Sequence, residues 1–429
     1  GSRVLEIGCG LGDTLASLAP SYGVGIDFSD RQIAIARTRH PRLTFVVGDA
    51  EDPATLAAVT GPFDVILVLD TIGSLDDCQQ FIEQLHPLCT RETRLVIGYF
   101  SHLWYPLLKA AEAAGLRMPQ PEQNVLSPAD LRNLAHLADF DPVKSEQRVL
   151  SPLRLYGLGR FANRFLSVLP GLRALALRHY LVSRSLRCVS DDVRSATVVV
   201  PARNERGNIA PAVQRIAAFC KDTEIIFIEG HSKDGTYEEM ERVRQAFPDH
   251  DIKLMRQPGK GKADAVFTAF DAARGDVLMI LDADLTMPPE QLPKFFEALR
   301  SGKGEFINGS RLVYPMDEGA MRFLNLIANK TFSYLFSWLL NQRYTDTLCG
   351  TKVLRRSDYV RLKAGKAYFG DFDPFGDFDL IFGASKLKSI DLPIRYAARC
   401  YGETQISRFR HGWMLLKMVV FAFFKIKAI

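Results

Sequence analysis

DVLMILDADLTMPP, residues 276–289, is the stretch from which the rest of the chain can be read. Val277 to Leu281 is a short apolar run of the kind that forms a buried parallel strand. It ends at Asp282, Ala283 and Asp284. Two carboxylates two residues apart at a strand's carboxyl end both point into the crevice where open α/β sheets bind ligands. Pro288 and Pro289 predict a helix from Glu290 to Arg300, because proline fits a first turn. Hard oxygen ligands with open positions suit Mg2+ or Mn2+ held against substrate phosphates. The pattern predicts a divalent ion clamped on a diphosphate by Asp282 and Asp284. Taken alone, the triplet also fits a solvated loop with two acidic caps.

The 429 residues leave room for two or three domains, each with its own core. A hydrophobic content of 47% with 24% charged residues fits folded protein and excludes disorder. The net charge of +5 is mild and compatible with anionic substrates or an anionic membrane surface. Seven cysteines lie scattered, with no CxxC pair. This argues against a disulfide framework and against zinc, and favours a reducing compartment. No signal peptide opens the sequence. No run reaches the ~18–20 apolar residues that a spanning helix needs. Basic residues are not interleaved with stacking aromatics, so nucleic acid is not an expected partner.

The amino-terminal half alternates strands and helices, which predicts a doubly wound parallel sheet. Val4 to Ile7 is a strand, followed by Gly8-Cys9-Gly10-Leu11-Gly12 and a helix from Asp13 to Leu18. Glycines at such a turn let a ligand approach the backbone. Val24 to Ile26 ends in Asp27, where a carboxylate can accept from ribose hydroxyls. Leu43 to Val47 precedes Gly48-Asp49-Ala50, Val65 to Leu69 precedes Asp70, and Arg94 to Tyr99 is a fifth strand.

The spellings EIGCGLG, IDFS and GDAED resemble the class I S-adenosylmethionine-dependent methyltransferases, over residues 1–188. The resemblance implies a Rossmann-like domain that binds S-adenosyl-L-methionine. Gly8, Gly10 and Gly12 would cradle the methionine part, with Glu6 beside them; Asp27 would bind the ribose and Asp49 lie near the adenine. Helices that relatives carry before the first strand have no counterpart here, so the domain is expected to be N-terminally truncated. A Rossmann-like domain without its cofactor is the alternative. No residue stands out as a general base. Val143 to Leu150 and His179 to Leu186 are expected to form the family's closing antiparallel hairpin. Between them, residues 151–178 are rich in arginine, leucine and aromatics. This insertion fits either an amphipathic element on an anionic membrane or a helix packed on the protein. Residues 189–195 read as a linker.

A second α/β domain is expected over residues 196–410. Thr197 to Val200 runs into Pro201-Ala202-Arg203-Asn204-Glu205. Glu224 to Ile228 runs into Glu229-Gly230-His231-Ser232-Lys233-Asp234-Gly235-Thr236. Ile252 to Arg256 leads to Gly259-Lys260-Gly261-Lys262-Ala263. These polar, glycine-bearing loops open on the sheet edge that carries Asp282 and Asp284.

This series resembles family 2 glycosyltransferases of the GT-A fold. The resemblance implies nucleotide-sugar contacts from Pro201, Ala202, Arg203, Asn204 and Glu205, from Glu229 at the base or ribose, from Lys262 near phosphate, and from Asp282. Thr286 stands where one branch has glutamine. NGSR (Asn308 to Arg311), DTLCGTK (Asp346 to Lys352), GDFDL (Gly376 to Leu380) and RCYGETQISR (Arg399 to Arg408) resemble the polyprenyl-phosphate sugar synthases. In that branch Arg311 and Arg399 would approach the acceptor's phosphate, with Ser407 and Arg408 nearby. The order methyltransferase then glycosyltransferase resembles a bacterial bifunctional arrangement.

Met321 to Leu340 and Gly412 to Phe424 are apolar but interrupted or short, which fits helices lying in the headgroup layer with lysines snorkelling outward. Core packing or a dimer interface is the alternative. The implied location is the cytoplasmic face of a bacterial membrane, with residues 411–429 as a surface segment. The expected reaction is inverting sugar transfer from a nucleoside diphosphate to a polyprenyl phosphate, which is already anionic and needs no base. If the acceptor is a hydroxyl on a glycan or metabolite, a carboxylate must take its proton. Asp379 is then the first choice and Asp377 the next, though both also fit a helix start.

Overall fold

The computed structural model describes residues 1–116, 118, 124–153, 155–190, 192–314, 323–364, 376–399, 401 and 408–427. For residues 155, 323–325 and 408–411 it describes the backbone alone. The chain forms two units, one of Gly1–Val189 with Lys427 and one of Ser190–Ile426.

The first unit is a seven-stranded sheet: β1 (Arg3–Ile7), β2 (Tyr22–Asp27), β3 (Thr44–Val47), β4 (Val65–Leu69), β5 (Arg94–Phe100), β6 (Phe140–Arg148) and β7 (Arg178–Ser185). Their order is β3-β2-β1-β4-β5-β7-β6. The first five are parallel, and β6 and β7 are an antiparallel hairpin paired to β5. Alternation along β1 explains why both faces are covered. Leu5 and Ile7 enter one core with Phe81 and Leu85. Val4 enters the other with Leu15, Ile33 and Phe45. This is the burial pattern of a doubly wound sheet. Between the hairpin strands a helix at Leu158–Phe161 continues as a wider helical turn over Ala162–Leu166, and the segment exposes Leu153, Tyr156, Leu158 and Phe161.

The second unit has its own seven strands: β8 (Ser195–Ala202), β9 (Asp222–Glu229), β10 (Asp251–Arg256), β11 (Val277–Ile280), β12 (Phe306–Ser310), β13 (Lys352–Arg355) and β14 (Ser389–Pro393). The order is β10-β9-β8-β11-β13-β12-β14. Strands β8 to β11 are mutually parallel, while β13 runs antiparallel between β11 and β12. Val198, Val200, Phe227 and Met279 point to one core. Val199, Ile226, Ile228, Leu278 and Ile280 point to the other.

Two expectations change. The helix after the acidic strand begins at Leu292, because Pro289–Gln291 closes first as a tighter turn. Pro293 then occupies the first helical turn, where a missing N–H costs nothing. The helix Phe323–Leu340 buries Phe332, Phe336, Leu339 and Leu340 in the second core. Its Asn329, one of the polar residues that interrupt the apolar run, is 1% exposed and donates to Asp346 Oδ1 at 2.9 Å. One face of this segment is therefore protein core. The helix Arg408–Ala422 is different in outline: Leu415, Met418, Val419 and Ala422 face inward. Trp413 (61% exposed), Leu416, Val420, Phe421 and Phe424 face out. Among the described residues no helix is long and apolar enough to cross a membrane. Six cysteines are free thiols; Cys400 lies outside the described residues.

Glu6 turns inward from β1 and is only 3% exposed. Its Oε2 accepts from the Leu15 N–H at 3.0 Å, tying the glycine loop's helix to the sheet. Burial raises its carboxyl from 4.5 to about 7, and the Leu15 hydrogen bond offsets this only in part. The folded state therefore keeps a proton that the unfolded chain has released, so stability falls as pH rises through that window. Glu6→Gln keeps an acceptor and removes the titration. It is expected to melt a few degrees above the wild type at pH 8, with the gap closing at pH 5, by scanning calorimetry. An equal gap at both pH values would refute this origin.

Candidate active site

The carboxyl ends of β8, β9, β10 and β11 carry four loops on one edge of the second sheet, and side chains lock them together. After β8, Asn204 adopts a left-handed conformation (φ 57°). Its N–H donates to Ser232 Oγ at 3.0 Å and its Oδ1 accepts from Lys233 N at 2.9 Å. After β9, His231 Nε2 lies 2.9 Å from the Gly259 carbonyl. After β10, Gln257 Nε2 donates to the Gly261 carbonyl at 2.7 Å, and Gly259 N to Asp264 Oδ2 at 2.8 Å. Gly261, at φ 88°, opens the helix Lys262–Ala272 and delivers Lys262.

Asp282 and Asp284 follow β11 directly. Lys262 Nζ sits 2.6 Å from Asp282 Oδ1. The Asp282 side chain keeps 32% of its surface and that of Lys262 22%. Burial works to raise its carboxyl, but the charge of Lys262, with help from Lys352 and Arg311, leaves it below the usual carboxylate range. Asp284 Oδ1 accepts from Thr286 N at 3.2 Å and from its hydroxyl at 2.8 Å. Thr286 thus orients Asp284.

Arg399 spans two acids: Nη2 is 2.6 Å from Asp284 Oδ2 and Nη1 is 2.9 Å from Glu205 Oε1. Asn208 Nδ2 holds the other Glu205 oxygen at 2.7 Å. Burial raises the Glu205 carboxyl despite Arg399. Glu229, expected at the base or ribose, uses Oε1 to accept from the Ser232 N–H of its own loop. Arg311, expected at the acceptor phosphate, is directed at Asp346: Nε donates to Oδ2 at 2.7 Å and Nη2 to Oδ1 at 2.9 Å. Asp346 is fully buried, and the pairing holds its carboxyl down against burial. Ser407 lies outside the described residues, as does the side chain of Arg408.

Asp377 and Asp379 sit in the first turn of the helix Asp377–Gly383, behind a left-handed Gly376. Asp377 is not available as a base here, because buried Lys352 Nζ holds its Oδ1 at 2.9 Å. Breaking such a buried pair costs about 3–5 kcal/mol. Asp379 is half-buried on the same turn.

Three further groups complete the site and were not assigned roles from sequence. Gly350 packs its backbone on the Asp282–Lys262 pair, where a Cβ would overlap Asp282 Oδ2 and Lys262 Nζ. Its place within DTLCGTK is the one local signal of that contact. Asn308 Nδ2 donates to the Asp346 carbonyl at 2.7 Å and to Asp391 Oδ1 at 2.8 Å. Asp391 has no motif around it; it is found only through β14.

In the first unit, Gly8, Gly10 and Gly12 all take positive φ values, of 72°, 52° and 75°. Asp27 Oδ2 accepts from Gly10 N at 2.8 Å and Oδ1 from Ser29 N at 3.0 Å. Asp49 is exposed at the end of β3, its Oδ1 accepting from Glu51 N at 3.0 Å. Glu6 lies beneath the loop, on Leu15, not on its open side.

Among the described residues, no three His, Cys, Asp or Glu side chains form a metal cage. Asp282 and Asp284 instead fit an ion that takes one or two protein carboxylates and completes its shell from phosphates and water.

Both sheets carry loops at their carboxyl edges, and two domain models match them: the chain carries a family 2 glycosyltransferase domain and a methyltransferase domain. Residues 197–361 match the Glycosyl transferase family 2 model, and residues 1–145 match the Methyltransferase domain model. Similar curated proteins include the low-salt glycan biosynthesis hexosyltransferase Agl6 of Haloferax volcanii, 26% identical over 54% of this chain and 54% of its own length. The dolichol-phosphate mannosyltransferase of Saccharomyces cerevisiae is 38% identical over 24% of this chain and 40% of its own. The undecaprenyl-phosphate 4-deoxy-4-formamido-L-arabinose transferase of Pectobacterium atrosepticum is 32% identical over 51% and 64%. The chain thus spans about half the length of the curated relatives it matches. A solved SAM-dependent methyltransferase of Thermotoga maritima is 19% identical over 43% of this chain and 82% of its own, with a TM-score of 0.33.

Gly350→Ala must push Asp282 or Lys262 aside. It is expected to lower sugar turnover by at least about tenfold while donor binding changes less, the pattern of misplaced catalytic groups. Steady-state kinetics beside a melting curve check this; unchanged kcat would remove Gly350 from the site.

Proposed function

We propose that the second domain transfers a sugar from a nucleoside diphosphate donor to a polyprenyl-phosphate-like acceptor at a membrane surface, with inversion. The observation that carries this is the meeting of Asp282, Asp284 and Glu205 with Lys262 and Arg399 at one strand edge. Asp282 and Asp284 would hold Mg2+ or Mn2+, which supplies positive charge against the departing diphosphate. Lys262 and Arg399 supply the protein's own positive charge beside it, preorganised by the carboxylates they touch. A phosphate acceptor brings an anionic oxygen and needs positioning more than proton removal. The engagement of Asp377 by Lys352 also favours an acceptor that needs no base from that residue. The similarity to polyprenyl- and dolichol-phosphate sugar transferases supports this substrate class.

A membrane position is supported by the outer face of the helix Arg408–Ala422 and the turn after it. Trp413, Leu416, Val420, Phe421 and Phe424 are exposed, and Lys417 and Lys425 flank them. Lys417 Nζ lies 5.7 Å from the Trp413 ring and Lys425 Nζ 4.7 Å from that of Phe421. An apolar stripe edged by lysines suits the headgroup layer of an anionic bilayer.

With a radiolabelled nucleotide sugar and polyprenyl phosphate, label is expected in the organic phase. Asp282→Ala with Asp284→Ala is expected to cut that transfer by about a thousandfold or more. Turnover that survives both changes, or label that stays aqueous, overturns the proposal. In flotation assays the wild type is expected to rise with phosphatidylglycerol-containing vesicles, whereas Trp413→Asp with Phe424→Asp stays behind. Equal flotation of the two proteins would exclude this face as the membrane contact.

A further inference from the structure

Residues 151–177, between the two strands of the first unit's hairpin, serve neither the glycine loop nor the sugar chemistry. The stretch contains four arginines, Arg154, Arg160, Arg164 and Arg173, and no aspartate or glutamate.

Hydrogen bonds and a few buried side chains pin it in place. Asn163 Oδ1 accepts from Leu150 N at 2.8 Å and from Ser151 N at 2.9 Å, and its Nδ2 donates to the Ser151 carbonyl at 2.8 Å. Trp104 Nε1 donates to the Leu175 carbonyl at 2.8 Å. Val168, Ala176 and Leu177 are buried.

Other apolar side chains of the segment stay outside. Tyr156 is fully exposed, Leu158 is 71% exposed and Phe161 54%, and Leu172 and Leu175 also lie open. Leu158 and Phe161 stand three residues apart in the helix Leu158–Phe161, so they share a face. Tyr156 holds a left-handed φ of 49°, unfavourable for a bulky residue, without burying its ring. Leu103, beside Trp104, is exposed as well. Scattered apolar residues on a surface are ordinary, but several on one pinned segment mark an interaction surface.

Charge selects the occupant. Arg160 and Arg164 are exposed on either side of Phe161. A second copy of this chain seated on the same face would set arginines against arginines. An anionic bilayer supplies what the segment lacks: an apolar boundary for leucines and aromatic rings, and phosphates for the guanidinium groups.

We propose that residues 156–175 are a membrane-docking face of the first unit. Tyr156, Leu158 and Phe161 enter the boundary between headgroups and acyl chains of an anionic bilayer, and Arg160 and Arg164 pair with lipid phosphates. This face belongs to the other unit from the helix Arg408–Ala422 and does not rest on the sugar-transfer reading. A single weak membrane signal gives marginal, reversible binding, whereas two hold firmly. Loss of either face is therefore expected to release the chain from vesicles.

Amide exchange on the full-length chain reads this face directly. With vesicles containing phosphatidylglycerol, peptides over residues 156–175 are expected to exchange at least about tenfold more slowly than in the free protein. With phosphatidylcholine alone they are expected to exchange as in the free protein. Leu158→Asp with Phe161→Asp and, separately, Arg160→Gln with Arg164→Gln are then compared in lipid titrations. Each basic residue near an anionic surface strengthens binding about fivefold, so each pair of changes is expected to raise the phosphatidylglycerol needed for half-binding at least about tenfold. These side chains are exposed, so melting is expected to stay close to that of the wild type. Unchanged exchange over residues 156–175 on vesicles that hold the chain, equal protection by phosphatidylcholine, or no binding to either vesicle overturns the proposal. So does a lipid-free dimer that Leu158→Asp with Phe161→Asp dissolves, which would make the face a contact between copies.

Discussion

Opposite charge at the end of β11 is the constraint around which the second unit is built. Asp282, Asp284 and Glu205 converge on one sheet edge, where their mutual repulsion would splay the loops. Lys262 and Arg399 neutralise that edge from chain positions far away in sequence. Behind it the pattern repeats in drier surroundings, with Asp377 on Lys352 and Asp346 on Arg311. The outer pairs are part-exposed, whereas each inner pair has one fully buried member. An exposed pair contributes little stability, while an inner pair is costly to break. The inner pairs therefore make a rigid floor and the outer ones a responsive surface.

Hydrogen bonds both between the loops and within them hold the edge in place. Asn204 ties the first loop to the second, His231 the second to the third, and Gln257 fixes the third on itself. Lys262 emerges from this lattice, which is how a side chain on a flexible four-carbon stem gains a defined position. Gly350 closes the arrangement from β13's side because only a residue without Cβ fits against the pair.

The first unit applies the same α/β logic to another end. Glycines with positive φ open the backbone after β1, and Asp27 receives N–H groups from both flanking turns. Its charged groups near the β4–β5 edge pair with one another, Asp70 with Arg178 and Glu112 with Lys109. Both sheet edges thus carry acids countered by cations from other segments.

Most of the architecture was legible because its signals are local. Apolar runs such as Val277–Ile280 and Val65–Leu69 have one stable placement, the centre of a covered sheet. Glycine loops and strand-end acids follow directly from them. Local signals reached less far in the site. Nothing in the spelling around Arg311 shows that its guanidinium turns to Asp346, nor does anything near Asn329 show that this amide is buried there. Asp391 and Gly350 meet partners brought near by strand pairing and helix docking. The sequence by itself determined the two sheets, their order of loops and the chemical types available at each edge. Tertiary structure alone decided which cation meets which acid and which polar atoms stay unpaired, because those outcomes depend on distances between segments that no local pattern encodes.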